Sequence, residues 1–356
     1  MIKSTIYQIK RRLQWGGLLL IVLSFLFSPI LVSAEEKLSF YVTPEFPDSQ
    51  IEGSGRYFDL NSEPGSTEEL TLKIQNANDQ AKTIEIMAHT AFTNVQGVVE
   101  YGKDAEKADP TLPYSLADLI ESPAPIELAG NETKTVKVML NMPKENFSGF
   151  LAGGLRIAEV KKEPQEAETS GEGVAIKNEF AYVIGVVASN DRSAVKPDLD
   201  LLDVFADQLN YRNVISANLQ NFTPTFVNHL EVEATVQKEG ENDILYRAKQ
   251  KQIQMAPNSN FNFPISLEGD RFRSGEYLLK MSARSGEEEW QWERKFTIEV
   301  DKARALNSAD VTIDTSINWW IVAAVSLILL LLLSIVWLLI KKRRAKNDEE
   351  IQHDEN

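Results

Sequence analysis

Between residues 35 and 300 the apolar positions recur every second residue and seldom every three or four. Leu70, Leu72 and Ile74 alternate with polar neighbours, as do Ile84, Ile86 and Ala88, and Val136, Val138 and Leu140. The pattern returns at Leu230, Val232, Ala234 and Val236, at Phe261, Phe263, Ile265 and Leu267, and at Tyr277, Leu279 and Met281. Successive side chains of a strand point to opposite faces, so each run describes a strand with one buried face. Turn-forming clusters separate the runs: Pro64-Gly65, Asn76 to Asp79, Ala129 to Asn131, Pro257 to Asn260 and Ser285-Gly286. Many short strands with recurrent turns predict an all-β fold of two tandem immunoglobulin-like β-sandwich domains. Tyr114 to Ile120 reads as the exception, a single helical turn.

Both ends of the chain carry apolar segments. Lys3, Lys10, Arg11 and Arg12 precede the apolar stretch Leu18 to Phe27, and Val32-Ser33-Ala34 then offers a small-residue cleavage pattern, so residues 1–34 read as a signal peptide. Trp319 to Ile340 runs for 22 residues without a charge. As a helix it is about 33 Å long, enough to cross a hydrocarbon core of roughly 30 Å. Lys341-Lys342-Arg343-Arg344 follows it directly, whereas Asp310 and Asp314 precede it. The positive-inside rule therefore predicts a single-pass plasma-membrane protein with an extracellular body and a cytoplasmic tail, 341–356, too short to fold. Trp319, Trp320 and Trp337 fall where aromatic rings settle at membrane interfaces.

Composition then excludes several kinds of function. The chain has 356 residues, a net charge of −15 and no cysteine. Disulfides, thiolate metal sites, a cysteine nucleophile and a lipid-modified N-terminal cysteine all leave with that residue. Setting both charged ends aside leaves 28 basic residues against 47 acidic ones, a net charge of −19 on the exported part. Such a surface repels nucleic acid and anionic wall polymers, so any polymer it holds must be gripped by hydrogen bonds and stacking.

Residues 161–173 have linker composition, but the flanking segments Leu155 to Ala158 and Phe180 to Val187 both read as strands. They are expected to form a loop within one domain. The predicted organisation is a first sandwich at 35–190, a linker at 191–198, a second sandwich at 199–300, a polar stalk at 301–318 and a transmembrane helix at 319–340.

Chemistry is sparse. His353 lies in the tail, and His89 and His229 fall on polar phases of strands, where surface or inter-strand roles are expected. Metalloprotease, nucleophile-elbow, phosphate-loop and calcium-loop motifs are absent. Ser193-Ala194-Val195-Lys196 matches the serine-lysine motif of penicillin-binding proteins, but the partner motifs are missing and Pro197 follows at once. No catalytic residue, metal or cofactor is assigned. A wall hydrolase with paired carboxylates remains a weaker alternative, and so does a chaperone-like assembly factor using exposed sheet edges. A receptor is disfavoured by the short tail. Trp290 and Trp292 share one strand face, as a core stripe or as an exposed platform for sugar or protein. Tyr41, Phe46, Tyr57, Phe58, Phe92 and Tyr101 crowd the first domain near turns, with core packing and glycan stacking both open. Three N-x-[ST] sequons begin at Asn131, Asn146 and Asn221. Asn94 followed by Gly97 predicts a turn needing a positive φ, closed by Tyr101.

Several strings resemble one family. Tyr57 to Leu60, Pro64-Gly65, the strand ending at Asn76 and Thr93 to Tyr101 resemble the first extracellular domain of the WxL-interacting proteins of low-GC Gram-positive bacteria. Asn210, Asn221, Met255 to Phe261 and the Glu289-Trp290 segment resemble their second domain. The resemblance covers nearly the whole chain, and it implies a non-enzymatic cell-surface adaptor. Its implied partners are peptidoglycan at the first domain, host extracellular proteins at the second, and secreted WxL-domain surface proteins. Candidate binding residues are Asn94, Gly97, Tyr101, Asn258, Asn260, Trp290 and Trp292.

Overall fold

The computed structural model describes residues 38–160, 180–313 and 319–353. The first group of strands comprises β1 (Phe40–Glu45), β2 (Phe58–Asn61), β3 (Thr67–Asn76), β4 (Lys82–Thr90), β5 (Phe92–Thr93) and β6 (Val99–Glu100). After the short helix α1 (Leu116–Leu119) come β7 (Ile120–Glu121), β8 (Ile126–Leu128), β9 (Thr133–Asn141), β10 (Leu151–Glu159) and β11 (Ala181–Ser189). One sheet runs β1-β3-β9-β7 and the other β2-β11-β10-β4-β8, while β5 and β6 form a separate hairpin. Alternation does the sorting: Leu70, Leu72 and Ile74 of β3 are fully buried, as are Ile84 of β4 and Val138 and Leu140 of β9. Those of β3 and β9 meet Ile84, Phe58, Leu60, Leu155, Ile157 and Val186 of the facing sheet in one core. The helical turn is α1, which Ser115 caps by accepting the Asp118 amide at 3.3 Å.

β10 is buried along nearly its whole length. Its core face carries Leu155 and Ile157, and its other face carries Ala152 and Gly154 beneath the chain that follows β4. A Cβ on Gly154 would stand 2.6 Å from the Tyr101 carbonyl oxygen, so glycine lets that segment lie flat on the sheet. β10 and β11 pair antiparallel from Leu151↔Ala188 to Ala158↔Ala181. The chain joining them, including 161–173, therefore connects neighbours in one sheet; 161–173 and the expected signal peptide lie outside the described residues.

The second sandwich contains β12 (Leu199–Leu209), β13 (Arg212–Asn221), β14 (Val227–Lys238), β15 (Ile244–Met255), β16 (Ser259–Ser266), β17 (Gly275–Ser285) and β18 (Glu288–Ile298). A sheet β12-β13-β16 faces a sheet β15-β14-β17-β18. Between them Leu201, Ile215, Leu219, Val232, Val236, Met255, Phe263, Ile265 and Leu279 form a second apolar core. The solvent face of the larger sheet carries opposite charges on neighbouring strands. Lys249 of β15 reaches Glu231 and Glu233 of β14 at 2.7 and 3.1 Å, and Lys280 of β17 reaches Glu293 of β18 at 3.4 Å. Exposed pairs of this kind add little energy each but fix strand neighbours.

The expected polar stalk at 301–318 requires correction over 301–313, while 314–318 lie outside the described residues. Helix α2 (Val300–Ala309) begins there and packs on the second sandwich through few apolar contacts and several polar ones. Ala303 and Ile313 are buried. Asn307 accepts the Phe272 amide at 2.8 Å and donates to the Phe272 carbonyl at 2.9 Å, and it also accepts from Asn213 at 3.0 Å. Asp310 accepts the Asn213 amide at 2.7 Å. A polar sequence made this stretch read as solvated, whereas its side chains are spent on the backbone of distant strands. The last helix, α3 (Trp319–His353), contains an apolar stretch, Ala323–Lys341, long enough to cross a membrane. It continues beyond Ile340, so the tail is helical as far as His353 rather than unfolded; Lys, Arg, Ala and Glu extend a helix already nucleated at little cost.

Replacing Asn307 by Ala strands the Phe272 amide and the Asn213 side chain. The second sandwich is expected to lose about 1–3 kcal/mol, read as a lower urea midpoint of the two-sandwich body with an unchanged denaturant slope.

Candidate functional site

The two sandwiches meet through the segment between β4 and α1. At its start the β5–β6 hairpin turns over Asn94 to Gly97. The Asn94 side-chain oxygen accepts the amides of Gln96 and Val98 at 3.0 and 3.2 Å, and Gly97 takes the expected positive φ, +68°. The tip lies on the second sandwich: the Gly97 carbonyl accepts the Gln254 amide at 2.9 Å, and Gln250 donates to the Gln96 carbonyl at 2.6 Å. A Cβ on Gly97 would approach Ile253 Cγ2 to 2.8 Å, so glycine is required for conformation and for room.

Behind the tip the contact is polar and buried. Thr93 Oγ1 lies 2.7 Å from Ser259 Oγ and accepts the Ala256 amide at 3.0 Å. Asp109 receives Gln220 Nε2 on both carboxylate oxygens at 2.9 Å, Asn260 Nδ2 at 2.5 Å, and the amide and hydroxyl of Thr111 at 2.8 and 2.6 Å. Burial alone would raise the Asp109 carboxyl, but the hydrogen bonds from Thr111, Asn260 and Gln220 outweigh it and hold the group below the ordinary carboxylate value. Asn258, at φ +47°, donates to the carbonyls of Thr111 and Phe222 at 3.0 Å each. Its side-chain oxygen, Oδ1, is buried and has no hydrogen-bond partner among the described residues. Beside the network sits a small apolar patch of Ala91, Val99, Ala152 and Ala256, flanked by Tyr101 and Phe226. Burial, with Tyr57 nearby, pushes the Tyr101 phenol up to about 12.

A second seam closes the junction. The Phe150 amide donates to the Pro224 carbonyl at 2.8 Å, and a Cβ on Gly149 would sit 2.1 Å from that oxygen. Arg192, in the connection between the sandwiches, pairs with buried Asp59 and lies over the Phe150 ring at 5.3 Å. Next to the seam a cleft of about 200 Å³ is lined by Thr90, Phe92, Asp104, Lys107, Asp109, Ser115, Asp118, Asn258 and Asn260. His89 Nδ1 stands 2.9 Å from Asp104 at its border, whereas His229 pairs with Gln252 at 2.7 Å on the second sandwich.

Five of the seven candidate residues, Asn94, Gly97, Tyr101, Asn258 and Asn260, thus come together at the junction, mostly as parts that hold the sandwiches to each other. Trp290 and Trp292 do not join them. Both pack half-buried against the second core, and the Trp290 indole donates to Asp198 at 2.9 Å, so the stripe is core-facing rather than an open platform. Asn221, first residue of a sequon, is buried with its amide donated to the carbonyls of Thr225 and Ala256. Sequence reasoning missed Asp109 and Gln220, while Thr93 and Ser259 stood in the strings that resemble the family without being named as binding candidates. The only local cue was Asp109-Pro110-Thr111, a turn-forming triplet in which the acid accepts from the residue two positions on.

Changing Gly97 to Ala adds a strained φ and a clash with Ile253, at about 1–3 kcal/mol. Faster hydrogen exchange at the Gln254 amide, with β3 and β9 unchanged, is the expected readout. For Asp109 the lowered carboxyl means that its contribution is complete above the unfolded-state value near ~3.9 and is lost as pH falls through the lower folded value. The junction is therefore expected to stay closed at pH 5 and to open on further acidification. Asp109→Ala leaves Gln220 and Asn260 unpaired, opens the junction at neutral pH at a cost of about 3 kcal/mol, and removes that acid transition; small-angle scattering across a pH series reads both effects.

Residues 40–159 match the family model described as the WxL Interacting Protein, peptidoglycan binding domain, and residues 171–308 match the WxL Interacting Protein, host binding domain. The second match begins ahead of β11, although that strand pairs in the first sandwich. No curated protein matches the chain. Among solved structures, the chain is similar to the class 5 fimbriae chaperone CfaA, at 12% identity over 68% of this chain and 96% of that one, with a TM-score of 0.28. It is similar to the chaperone YadV at 10% identity over 73% and 100%, with a TM-score of 0.29. A chain of the CsuC-CsuE chaperone-tip adhesion subunit pre-assembly complex of Acinetobacter baumannii matches at 12% identity over 72% and 98%, with a TM-score of 0.31. With both domain models matched in order along most of its length, the chain belongs to the WxL-interacting protein family.

Proposed function

We propose that this protein is a membrane-anchored cell-surface adaptor. The first sandwich holds peptidoglycan, and the second engages host extracellular ligands. Secreted WxL surface proteins associate with the pair, and the apolar part of α3 ties the assembly to the plasma membrane with the body outside. In this reading the first sandwich spans 35–190 and the second 199–300, with α2 packed on the second. The observation that carries this reading is the occurrence of both binding-domain models on one chain, on sandwiches joined by a buried polar junction. Both matched models describe binding domains, which favours retention of a ligand over its turnover. The acidic balance of the exported part favours recognition of glycan by neutral hydrogen bonding and stacking rather than by charge.

The test is cosedimentation of the intact exported body, residues 35–318, with purified peptidoglycan, and its capture by an immobilised WxL surface protein. The body is expected to pellet with the wall, largely independent of salt, to leave the glycan products unchanged, and to retain the surface protein. Failure to pellet, or cleavage of the wall, sinks the adaptor reading.

A further inference from the structure

The chain leaves the second sandwich at the end opposite the first domain. Val311 donates its amide to the Tyr211 carbonyl at 3.0 Å, in the turn between β12 and β13, and Thr312 lies beside Gly269 in the loop between β16 and β17. Helix α3 begins at Trp319, six residues after buried Ile313. Six residues span at most about 20 Å. If α3 crosses the membrane, as the adaptor reading holds, this end of the sandwich cannot stand further than that from the start of the span.

At the same end the loop after β16 and one side of α2 border a shallow recess whose lining, among the described residues, has Arg271, Arg273 and Arg304 with Phe272, Ser274 and Asn307, and includes no carboxylate. Arginine side chains thus line one recess on a part of the chain whose overall balance is strongly acidic, and Arg273 and Arg304 stand on its two sides, one on the loop and one on α2. Asp301 contacts Arg304 at 3.3 Å, but both side chains are largely exposed, and that pair is weak. Asp270 and Glu268 precede the arginines on the same loop without lining the recess. Around it the sandwich end exposes Tyr211, Val300 and Val311, with relative exposures of 71%, 56% and 70%. Guanidinium groups bind phosphate oxygens in bidentate fashion, and aromatic and aliphatic side chains settle among headgroups.

We infer that the arginine recess docks on the phosphates of anionic lipid headgroups, so that the second sandwich rests on the outer membrane surface instead of swinging on its tether. Basic residues held near an anionic leaflet gain attraction that falls away within a Debye length, and a tether of this length keeps them in range. The inference rests on the membrane-anchored reading and goes beyond it by naming a surface and its ligand.

The experiment uses the full-length chain in nanodiscs of phosphatidylcholine alone or with one third phosphatidylglycerol, followed by hydrogen exchange. Residues 271–274 and 300–308 are expected to exchange about tenfold more slowly in the anionic discs. That protection should vanish in R273E/R304E, fall but not vanish in R273K/R304K, which keep the charge and lose the bidentate geometry, and fade at high salt, while β13 and β14 keep their exchange in every variant. Equal exchange in the two lipids overturns docking and leaves the anchor standing. Failure of the chain to enter the discs overturns both readings. If inorganic phosphate in phosphatidylcholine discs produces the same protection, the recess holds a free anion and lipid docking is overturned.

Discussion

Asp109 is the group on which the arrangement of the two sandwiches turns. Its carboxylate collects donors from Thr111 in its own loop and from Gln220 and Asn260 on the neighbouring sheet. A buried carboxylate with that many donors is held in one place, because each donor left without it carries its own desolvation cost. Once Asp109 is fixed, the chain from β4 to α1 has a defined path, the β5–β6 hairpin reaches Gln254, and the cleft beside it acquires its walls. The apolar patch at the junction is small, consisting largely of alanines. Specific hydrogen bonds, more than buried area, set how one sandwich sits on the other.

Strands were the legible part of the sequence, because alternation of apolar and polar residues is local and each apolar set in fact lines a core. The turn at Asn94 to Gly97 was legible for a similar reason: the chemistry that demands it lies within four residues. The junction itself was not. Asp109 and Gln220 stand 111 positions apart, and neither residue type announces a partner at that distance. Helix α2 was hidden for a different reason. It is held by Asn307 and Asp310 acting on backbone groups of β13 and the loop after β16, so its sequence shows polar character where an apolar stripe would have given it away. Trp290 and Trp292 were correctly placed on one face, but the choice between core and platform depended on what covers the strand, which strand periodicity does not contain.

The same facts explain why family strings and contact residues coincide. Thr93 to Tyr101 and Met255 to Phe261, two strings that prompted the family resemblance, meet each other at the junction. Thr93 faces Ser259 and accepts the Ala256 amide, Val99 packs with Ala256, and Gly97 at the tip faces Ile253 just ahead of the second string. Residues that look like binding motifs in one dimension are here largely occupied with each other. Ligand surfaces are then to be sought around the junction, at the cleft rim, and on the outward faces of the sheets.

The second sandwich has the first domain seated on the loops at one end and the exit toward α3 at the other, with strands such as β14, 12 residues and about 40 Å long, running between. On the adaptor reading proposed above, tension applied between wall and membrane would travel along these strands. Their ladder bonds would be loaded together in shear instead of being unzipped one at a time. Under such a load the polar seam at Asp109 would differ from the ladders, because its donors can be exchanged for water one by one.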